Sequence, residues 1–228
     1  MVTALKTSIN ILLVFLFAAC TSVPDERMTP YVDFPETREL TARTLSLDSA
    51  LFRYPYRVRV QDDKAVVLDL HGTEYFFHAF HYPGFHYLSS FGKRGDAPEE
   101  MLSAENLRWN GNFLWTLDSN KSELTRLGFA SSGDSLLRLE AVRLDEELLR
   151  ALDFVQYDDS TFIIPDYSGD SRFCLVSRQG KLLHKIGTIP TTDEDALKNA
   201  HPALAQAWRS FIDYNPRNGV LAAVTQLG

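Results

Sequence analysis

Short apolar runs separated by polar turns recur along the chain from about residue 55 onward. Three segments, 61–80, 110–129 and 158–177, share one order of features: a polar turn, an apolar run that ends in Asp, a short polar loop and a second apolar-rich run. The Asp residues that end the first runs lie 49 and 48 residues apart, at Asp69, Asp118 and Asp166. This spacing indicates an internal repeat of about 48 residues.

Each apolar run is five or six residues long and rich in β-branched and aromatic side chains, which favours strands over helices. A further strand is predicted before each polar turn and another after each second run. Four antiparallel strands per repeat are typical of a propeller blade. The predicted blades span about 55–92, 105–143, 153–187 and 211–228, with the apolar strands innermost.

The predicted ring is incomplete, because the 174 residues from 55 to 228 hold about 3.6 blades whereas propellers have about four to eight. An open arc would leave an unpaired strand at its C-terminal end and favour self-association through strand edges. The alternative is a compact four-bladed ring that a strand from residues 39–51 completes.

One helical insert interrupts the strand pattern near residues 193–211, between the third and fourth blades. Thr192 precedes three acidic residues, which predicts an N-cap and a first helical turn. Apolar side chains then recur at i, i+4 and i+7 around a helix that restarts at Pro202, namely Leu204, Trp208 and Phe211. The sequence therefore predicts an all-β partial propeller over residues 49–228 with one helical insert.

The N-terminal segment has the pattern of an export signal. Residues 9–20 form an apolar stretch of 12 residues, shorter than the roughly 20 that span a bilayer as a helix. The stretch ends in Ala18-Ala19-Cys20, which resembles the lipobox of bacterial lipoproteins, with Phe17 in place of the usual Leu. The resemblance implies a signal peptide at 1–19 and lipidation of Cys20. The alternative is an Ala-x-Ala-like cleavage site with an unmodified Cys20.

Residues 20–48 are predicted to tether the lipid anchor to the folded body, because they contain three Pro residues, several acids and no sustained period. Asp25-Glu26 resembles the acidic sorting signal of some surface-displayed lipoproteins, although two acids in a linker also serve solvation. The predicted location is the cell envelope, with the chain anchored by lipid in the outer membrane and facing the periplasm or the cell surface.

The composition excludes several partners and chemistries. The chain has 23 basic and 30 acidic residues and no run of Lys or Arg longer than two, which argues against nucleic acid as a partner. If Cys20 carries lipid, Cys174 is the only thiol left, and a buried small hydrophobe is favoured there over a nucleophile. His78 and His81 point to opposite faces of a strand, so no shared metal is predicted there, and solvent-facing side chains are favoured over the alternative that His81 and His86 meet across the turn between them. No metal site and no cofactor are expected.

The segment 91–100, with the sequence FGKRGDAPEE, lies where one blade passes to the next. It resembles the transition of NHL-like repeats: phenylalanine, glycine, two basic residues, glycine, two variable residues, proline, a variable residue and glutamate. Asp96-Ala97 stands where Gln-Gly is usual, and Ile186-Gly187 ends the third blade without the rest of the motif. Over about residues 45–228 the chain is similar to the TolB-like six-bladed propeller lipoproteins. This resemblance implies a fold and no reaction.

Ligands of propellers usually bind where the loops of one face meet the central channel. The loops that follow the repeated Asp residues and the segment between blades are expected on that face. The polar candidates for ligand binding there are His71, Glu74, Lys93, Arg94, Lys121, Tyr167, Asp170 and Arg172. The repeated Asp residues themselves are assigned to turn capping.

Two functions remain open at this point. The first is a binding or scaffold module for protein or glycan, without catalytic residues. The alternative is an extracytoplasmic hydrolase or lyase with its site in the propeller channel. Residues 133–136 spell the GDSL motif of a hydrolase family, but no His has an Asp three residues before it, and the tetrapeptide is predicted to form a turn.

Overall fold

The structure, a computed structural model, describes residues 36–45, 47 and 52–227. The chain divides into two units, 1–44 and 45–228. Residues 36–44 of the first unit form no helix or strand, and Arg38 donates a hydrogen bond of 2.8 Å to Glu36. The predicted signal peptide, Cys20 and most of the predicted tether lie outside the described residues. Among the residues described, no helix has the length and apolar character needed to cross a membrane.

The described part of the second unit contains three four-stranded sheets, one two-stranded sheet and two short helices. The first sheet comprises β1 (Pro55–Gln61), β2 (Lys64–Asp69), β3 (Tyr75–His81) and β4 (His86–Lys93). The second comprises β5 (Asn106–Asn110), β6 (Phe113–Asp118), β7 (Glu123–Phe129) and β8 (Leu136–Arg143). The third comprises β9 (Val155–Gln156), β10 (Thr161–Pro165), β11 (Phe173–Ser177) and β12 (Leu182–Ile186). The helices α1 (Glu194–Asn199) and α2 (His201–Ala207) precede the last sheet, β13 (Ser210–Asn215) and β14 (Val220–Thr225).

Every sheet is an antiparallel meander in which strands that follow one another in sequence are paired. The sheets are not closed into a ring, so the predicted all-β propeller-like fold with an incomplete ring is confirmed. The alternative of a compact four-bladed ring is wrong. Residues 36–45 and 47 form no strand, and the last sheet has only two strands among the described residues.

The apolar strands are the central ones of each sheet and not the innermost, contrary to the sequence-based expectation. Residues 65–69 of β2 and 114–118 of β6 are buried throughout. The first strands lie innermost, because β1 contacts β5 and β9 contacts β13. A central strand is covered on both faces, β6 by the two neighbouring sheets and β2 by the second sheet and by Phe52 and Phe85, which explains its continuous apolar run.

A separate apolar cluster fills each junction between neighbouring sheets. Phe77, Leu107 and Leu114 belong to the cluster between the first and second sheets, and Trp115, Phe154 and Phe162 to the one between the second and third. Ile212 joins the third sheet to the last one. Each junction therefore has a hydrophobic core of its own.

The repeated Asp residues are all buried and serve the backbone, at Asp69, Asp118 and Asp166. In the second and third sheets, the carboxylate accepts a hydrogen bond from the N–H two residues later, at Asn120 (3.0 Å) and Ser168 (2.9 Å). These are the predicted turn caps. In the first sheet, the carboxylate instead accepts from the N–H of Tyr54 (2.6 Å), in the segment that leads into β1.

The helical insert is present, but its N-cap differs from the predicted one. Asp193 and not Thr192 is the N-cap of α1, because the Asp193 carboxylate accepts from the N–H groups of Asp195 (3.0 Å) and Ala196 (2.9 Å). Asp is one of the residue types that best cap a helix. The second helix has Pro202 in its first turn, as predicted, but it ends at Ala207, so the prediction that Phe211 lies on the helix is wrong: Phe211 belongs to β13.

Candidate functional site

A groove of about 490 Å³ lies where the first strands of the four sheets end and their turns begin. It is called the inner-strand groove here, and it is lined by the C-terminal parts of β1, β5, β9 and β13. The polar and aromatic side chains that line it include Arg59, Arg108, Trp109, Asn110, Gln156, Tyr157, Asp158, Asp159, Asp213 and Tyr214. Its volume falls within the range of roughly 300–1,000 Å³ that is usual for small-molecule sites.

The alternation of side chains along β1 places three polar groups toward the second sheet. Arg57 donates to the Asn106 side chain, Arg59 Nε to the Leu107 carbonyl (3.4 Å) and Gln61 to the Gly111 carbonyl. These three alternate with Val58 and Val60, because successive side chains of a strand point to opposite faces. The partners also advance along β5 as β1 advances, so the two inner strands run in the same direction.

Arg108 joins the second sheet to the third and the last. Its guanidinium contacts the buried carboxylate of Asp153 at 3.0 Å and the exposed carboxylate of Asp213 at 2.8 Å, and it donates to the carbonyl of Ile212. Asp153 in turn accepts from the N–H of Ile212 (2.9 Å) and from the side chain of Asn106. The buried polar groups of this network are thus used to hold the inner strands together.

Arg59 is the guanidinium of the groove that is least engaged. Apart from the long bond to Leu107, it has no hydrogen bond and no carboxylate partner among the described residues. Burial lowers the pKa of Arg59, and the positive charges of Arg108 and Arg57 lower it further, whereas the carboxylates of Asp213 and Asp153 oppose this shift. Its terminal N–H groups are therefore available to an acceptor that enters the groove.

Aromatic side chains border the groove on two sides. The rings of Tyr157 and Tyr214 lie 5.3 Å apart. Trp109 stacks on Phe129 at 6.2 Å, and its buried Nε1 has no hydrogen-bond partner in the described part of the chain. Trp109 also borders a second groove of about 340 Å³, which reaches Phe129 and Lys64 between the first two sheets.

The eight residues predicted to bind ligand lie at the other end of the sheets, beyond the second strands and between the blades. Lys93 forms an ion pair of 2.7 Å with Glu100, and Lys121 donates to the carbonyl of Glu100 (2.8 Å). Arg94 donates to the carbonyl of Gly72 (3.0 Å). In this first set, the basic side chains hold the segment between the first two sheets. Two further members lie nearby: the Arg94 N–H donates to the Glu74 carbonyl (2.8 Å), and the His71 ring lies 5.2 Å from Tyr54.

Tyr167, Asp170 and Arg172 form a second set beside the helical insert. Asp170 forms ion pairs with Lys185 (2.7 Å) and His201 (2.8 Å). Arg172 lies over the ring of Trp208 at 5.2 Å, and burial raises the pKa of Tyr167. No hydrogen bond or ion pair between described residues joins the two sets, so their common role in ligand binding stays a prediction.

The histidines and the buried cysteine lie outside the inner-strand groove. His81 and His86 are paired opposite each other at the β3–β4 turn, and His78 Nδ1 lies 2.8 Å from Ser90 Oγ. The described residues contain no group of three or more His, Cys, Asp or Glu that could hold a metal ion. Cys174 is buried, and burial raises the pKa of its thiol to about 12, as expected of a side chain that packs as a hydrophobe.

The sequence contains a pattern that indicates the polar lining of the groove. Residues 57–60 alternate Arg and Val, and Arg108 is followed by Trp109 in the corresponding strand of the next repeat. Charged residues at alternate positions of a strand indicate a polar face. The sequence prediction does not include Arg57, Arg59 and Arg108, because it rests on the loops at the opposite end of the sheets.

Comparisons with known proteins agree with this architecture. No curated protein matches the chain significantly. A protein of Bacteroides fragilis that has been described, by inference, as exported is 14% identical, with a TM-score of 0.51 over 66% of this chain and 42% of that one. A protein of unknown function from Desulfotomaculum acetoxidans is 13% identical, with a TM-score of 0.48 over 74% of this chain and 48% of that one. The chain thus spans less than half the length of these two proteins.

A family model matches a larger part of the chain than these two structures do. The model of the TolB-like 6-blade propeller-like family matches residues 33–227, which is most of the chain. The repeated four-stranded sheets of the structure are consistent with a propeller-like fold. The chain therefore belongs to the TolB-like 6-blade propeller-like family.

Proposed function

We propose that this protein is an extracytoplasmic binding module that recognises a protein or glycan in its inner-strand groove. The observation that carries the proposal is the partly buried Arg59, whose terminal N–H groups have no partner among the described residues, in a groove bordered by aromatic rings. Arg, Trp and Tyr are the residue types that most often dominate the binding energy of recognition surfaces. Their rings and polar ends let them contact apolar and hydrated parts of one ligand.

The location is part of the same proposal. The apolar stretch at residues 9–20 and the lipobox-like Ala18-Ala19-Cys20 support export and lipidation. A lipid on Cys20 would hold the propeller at the outer membrane, facing the periplasm or the cell surface. Several acyl chains on one residue exceed the two signals that stable membrane attachment needs.

The contacts of Asp153 support a binding role over a catalytic one. Its carboxylate accepts hydrogen bonds from Arg108, from the Asn106 side chain and from the N–H groups of Phe154 (2.8 Å) and Ile212 (2.9 Å). A carboxylate with this many donors is used to join strands, and it is poorly placed to accept a proton from a substrate.

The experiment that tests the proposal is ligand capture with the purified full chain. The protein is applied to a glycan array and to cell-envelope extracts, beside the variants Tyr157→Ala and Tyr82→Ala. Both tyrosines are well exposed, at 44% and 43%, but only Tyr157 borders the groove. We expect the Tyr157 variant to lose capture and the Tyr82 variant to keep it. Equal capture by both variants, or turnover of a captured glycan, would contradict the proposal.

A further inference from the structure

We infer that the inner-strand groove binds an acidic saccharide and that Arg59 forms its anion subsite. This inference rests on the proposed function and narrows it to one class of ligand. The ligand is a sugar that carries a carboxylate or a phosphate, with the anion at Arg59 and the ring between the aromatic side chains.

The charges around Arg59 are unequally compensated. Arg108 has two carboxylate partners, at Asp153 and Asp213. Arg57 donates to the neutral side chain of Asn106 and lies over the ring of Tyr56 at 5.4 Å. The guanidinium groups of Arg57 and Arg59 therefore bring two positive charges to the inner strand β1 without a hydrogen-bonded carboxylate of their own, and the nearby carboxylates of Asp213 and Asp153 compensate the charge of Arg59 only in part. An anion at Arg59 would offset the mutual repulsion of these groups.

The geometry of a guanidinium suits an anion of this kind. Arg59 presents planar N–H donors, which bind carboxylate or phosphate through two parallel hydrogen bonds. Its aliphatic stem lies along the groove wall, and its Nε is already directed at the Leu107 carbonyl. This contact restricts the side chain before the ligand arrives, so less conformational entropy is lost on binding.

The acidic residues of the groove fix the orientation of the ligand. Asp158 and Asp159 lie in the turn after β9, at the outer rim. The Asp158 carboxylate accepts from the side chains of Ser160 (2.8 Å) and Thr161 (2.8 Å) in its own turn. These negative charges would repel an anion near them. The third acidic residue of the lining, Asp213, is paired with Arg108 at 2.8 Å, so the anionic group is expected at Arg59.

The remaining groove wall suits a sugar ring better than an acidic peptide. Tyr157, Tyr214 and Trp109 offer aromatic faces, and Gln156 and Asn110 offer amide groups that donate to and accept from hydroxyl groups. An extended peptide would need a long groove or a free strand edge. An open groove of about 490 Å³ bordered by four strand ends and their turns instead has the size of a small-ligand site.

Binding of defined probes to the purified full chain tests the inference. The probes are trigalacturonate, galactose 1-phosphate, the neutral galactotriose and a short polyglutamate peptide, measured by calorimetry and by the fluorescence of the groove tryptophans. We expect trigalacturonate or the sugar phosphate to bind and galactotriose to bind at least about tenfold more weakly. The probe that binds better identifies the anion as carboxylate or phosphate.

Two substitutions at Arg59 separate charge from geometry. Arg59→Gln should weaken binding of the acidic probe by about tenfold or more, and Arg59→Lys should restore part of it, because Lys keeps the charge but not the planar fork. Arg143→Gln is the matched control, since Arg143 is exposed on β8 outside the groove. Thermal melting checks that each variant folds. If Arg59→Gln does not fold, weaker binding of the acidic probe by Arg59→Lys tests the inference instead.

Several outcomes would overturn the inference. Equal binding of galactotriose, preference for polyglutamate, or unchanged binding by Arg59→Gln would each refute an acidic-sugar site while leaving the binding module in place. Absence of binding by every probe would also refute it. If capture by the Tyr157 variant is normal as well, the proposed function fails together with the inference.

Discussion

The Asn106 side chain donates a hydrogen bond to the Asp153 carboxylate, and both residues are buried. They are 47 residues apart: Asn106 begins the inner strand β5, and Asp153 lies two residues before β9, the inner strand of the next sheet. The Asn106 side chain also accepts a hydrogen bond from Arg57. One amide therefore links β1, β5 and the segment before β9. The propeller junctions are therefore joined by polar contacts near the axis as well as by apolar clusters between the sheets.

Replacing this amide should destabilise the fold. Asn106→Ala removes a partner from Asp153, from Arg57 and from the N–H of Leu107, and a buried polar group without a partner costs about 1–3 kcal/mol. We expect the midpoint of urea unfolding to fall accordingly. Asn112→Ala, in an exposed turn, is the control and should leave it nearly unchanged. An unaltered midpoint for Asn106→Ala would show that the contact adds little.

His78 should make the stability sensitive to acid. Burial lowers the pKa of His78, and Asp69 opposes this only in part. Because the unfolded chain takes up the proton more readily, stability is retained above about pH 6.5 and falls as the pH drops toward the folded-state pKa, by at most about 1.4 kcal/mol per pH unit.

The His78→Gln variant tests this dependence by urea unfolding between pH 7.5 and 5. Its stability should change less with pH than that of the unmodified chain. His86→Gln, at an exposed position in the β3–β4 hairpin, should leave the pH dependence intact. The same pH dependence in the unmodified chain and in His78→Gln would contradict the assignment. His78 is also predicted to be dispensable for metal, and stoichiometric zinc that is lost in the His78→Ala variant would contradict this prediction.

Lipidation of Cys20 remains a prediction, since that residue lies outside the described part of the chain. Cells that are fed a clickable fatty acid should label the unmodified protein and place it in the membrane fraction. Cys20→Ser should abolish both the label and the membrane association, whereas Cys174→Ser should change neither. Labelling of the Cys20 variant would show that the anchor is assigned wrongly.

Self-association through exposed strands is a further expectation. On the last sheet, Val220 is 54% exposed and Val224 is 68% exposed, and both belong to β14. Exposed apolar edge strands pair readily with other chains. Light scattering after size-exclusion chromatography of the 228-residue chain should show dimers or larger species, and Val224→Lys should shift them toward monomer. A monomer that melts cooperatively without the substitution would contradict this expectation.

The strands could be predicted because each carries its own local signal. The apolar run of β2 between Lys64 and Asp69 and the turns around it are legible from neighbouring residues alone. The groove could not be predicted in this way, because it forms between residues that are about 50 positions apart, such as Arg59 and Leu107. The alternation of Arg and Val shows that β1 has a polar face, but only the packing of one sheet on the next shows what that face meets.

The inner-strand groove has walls from all four sheets, so an occupant would touch every junction of the propeller at once. Parting any two neighbouring sheets would then also break contacts with that occupant. Binding of this kind raises the melting temperature by mass action, with about 2.7 kcal/mol of added stability when the free ligand is at 100 times its Kd. A thermal shift would therefore report occupancy of the groove for a ligand of any chemistry, and the protein's own unfolding becomes the readout of a screen.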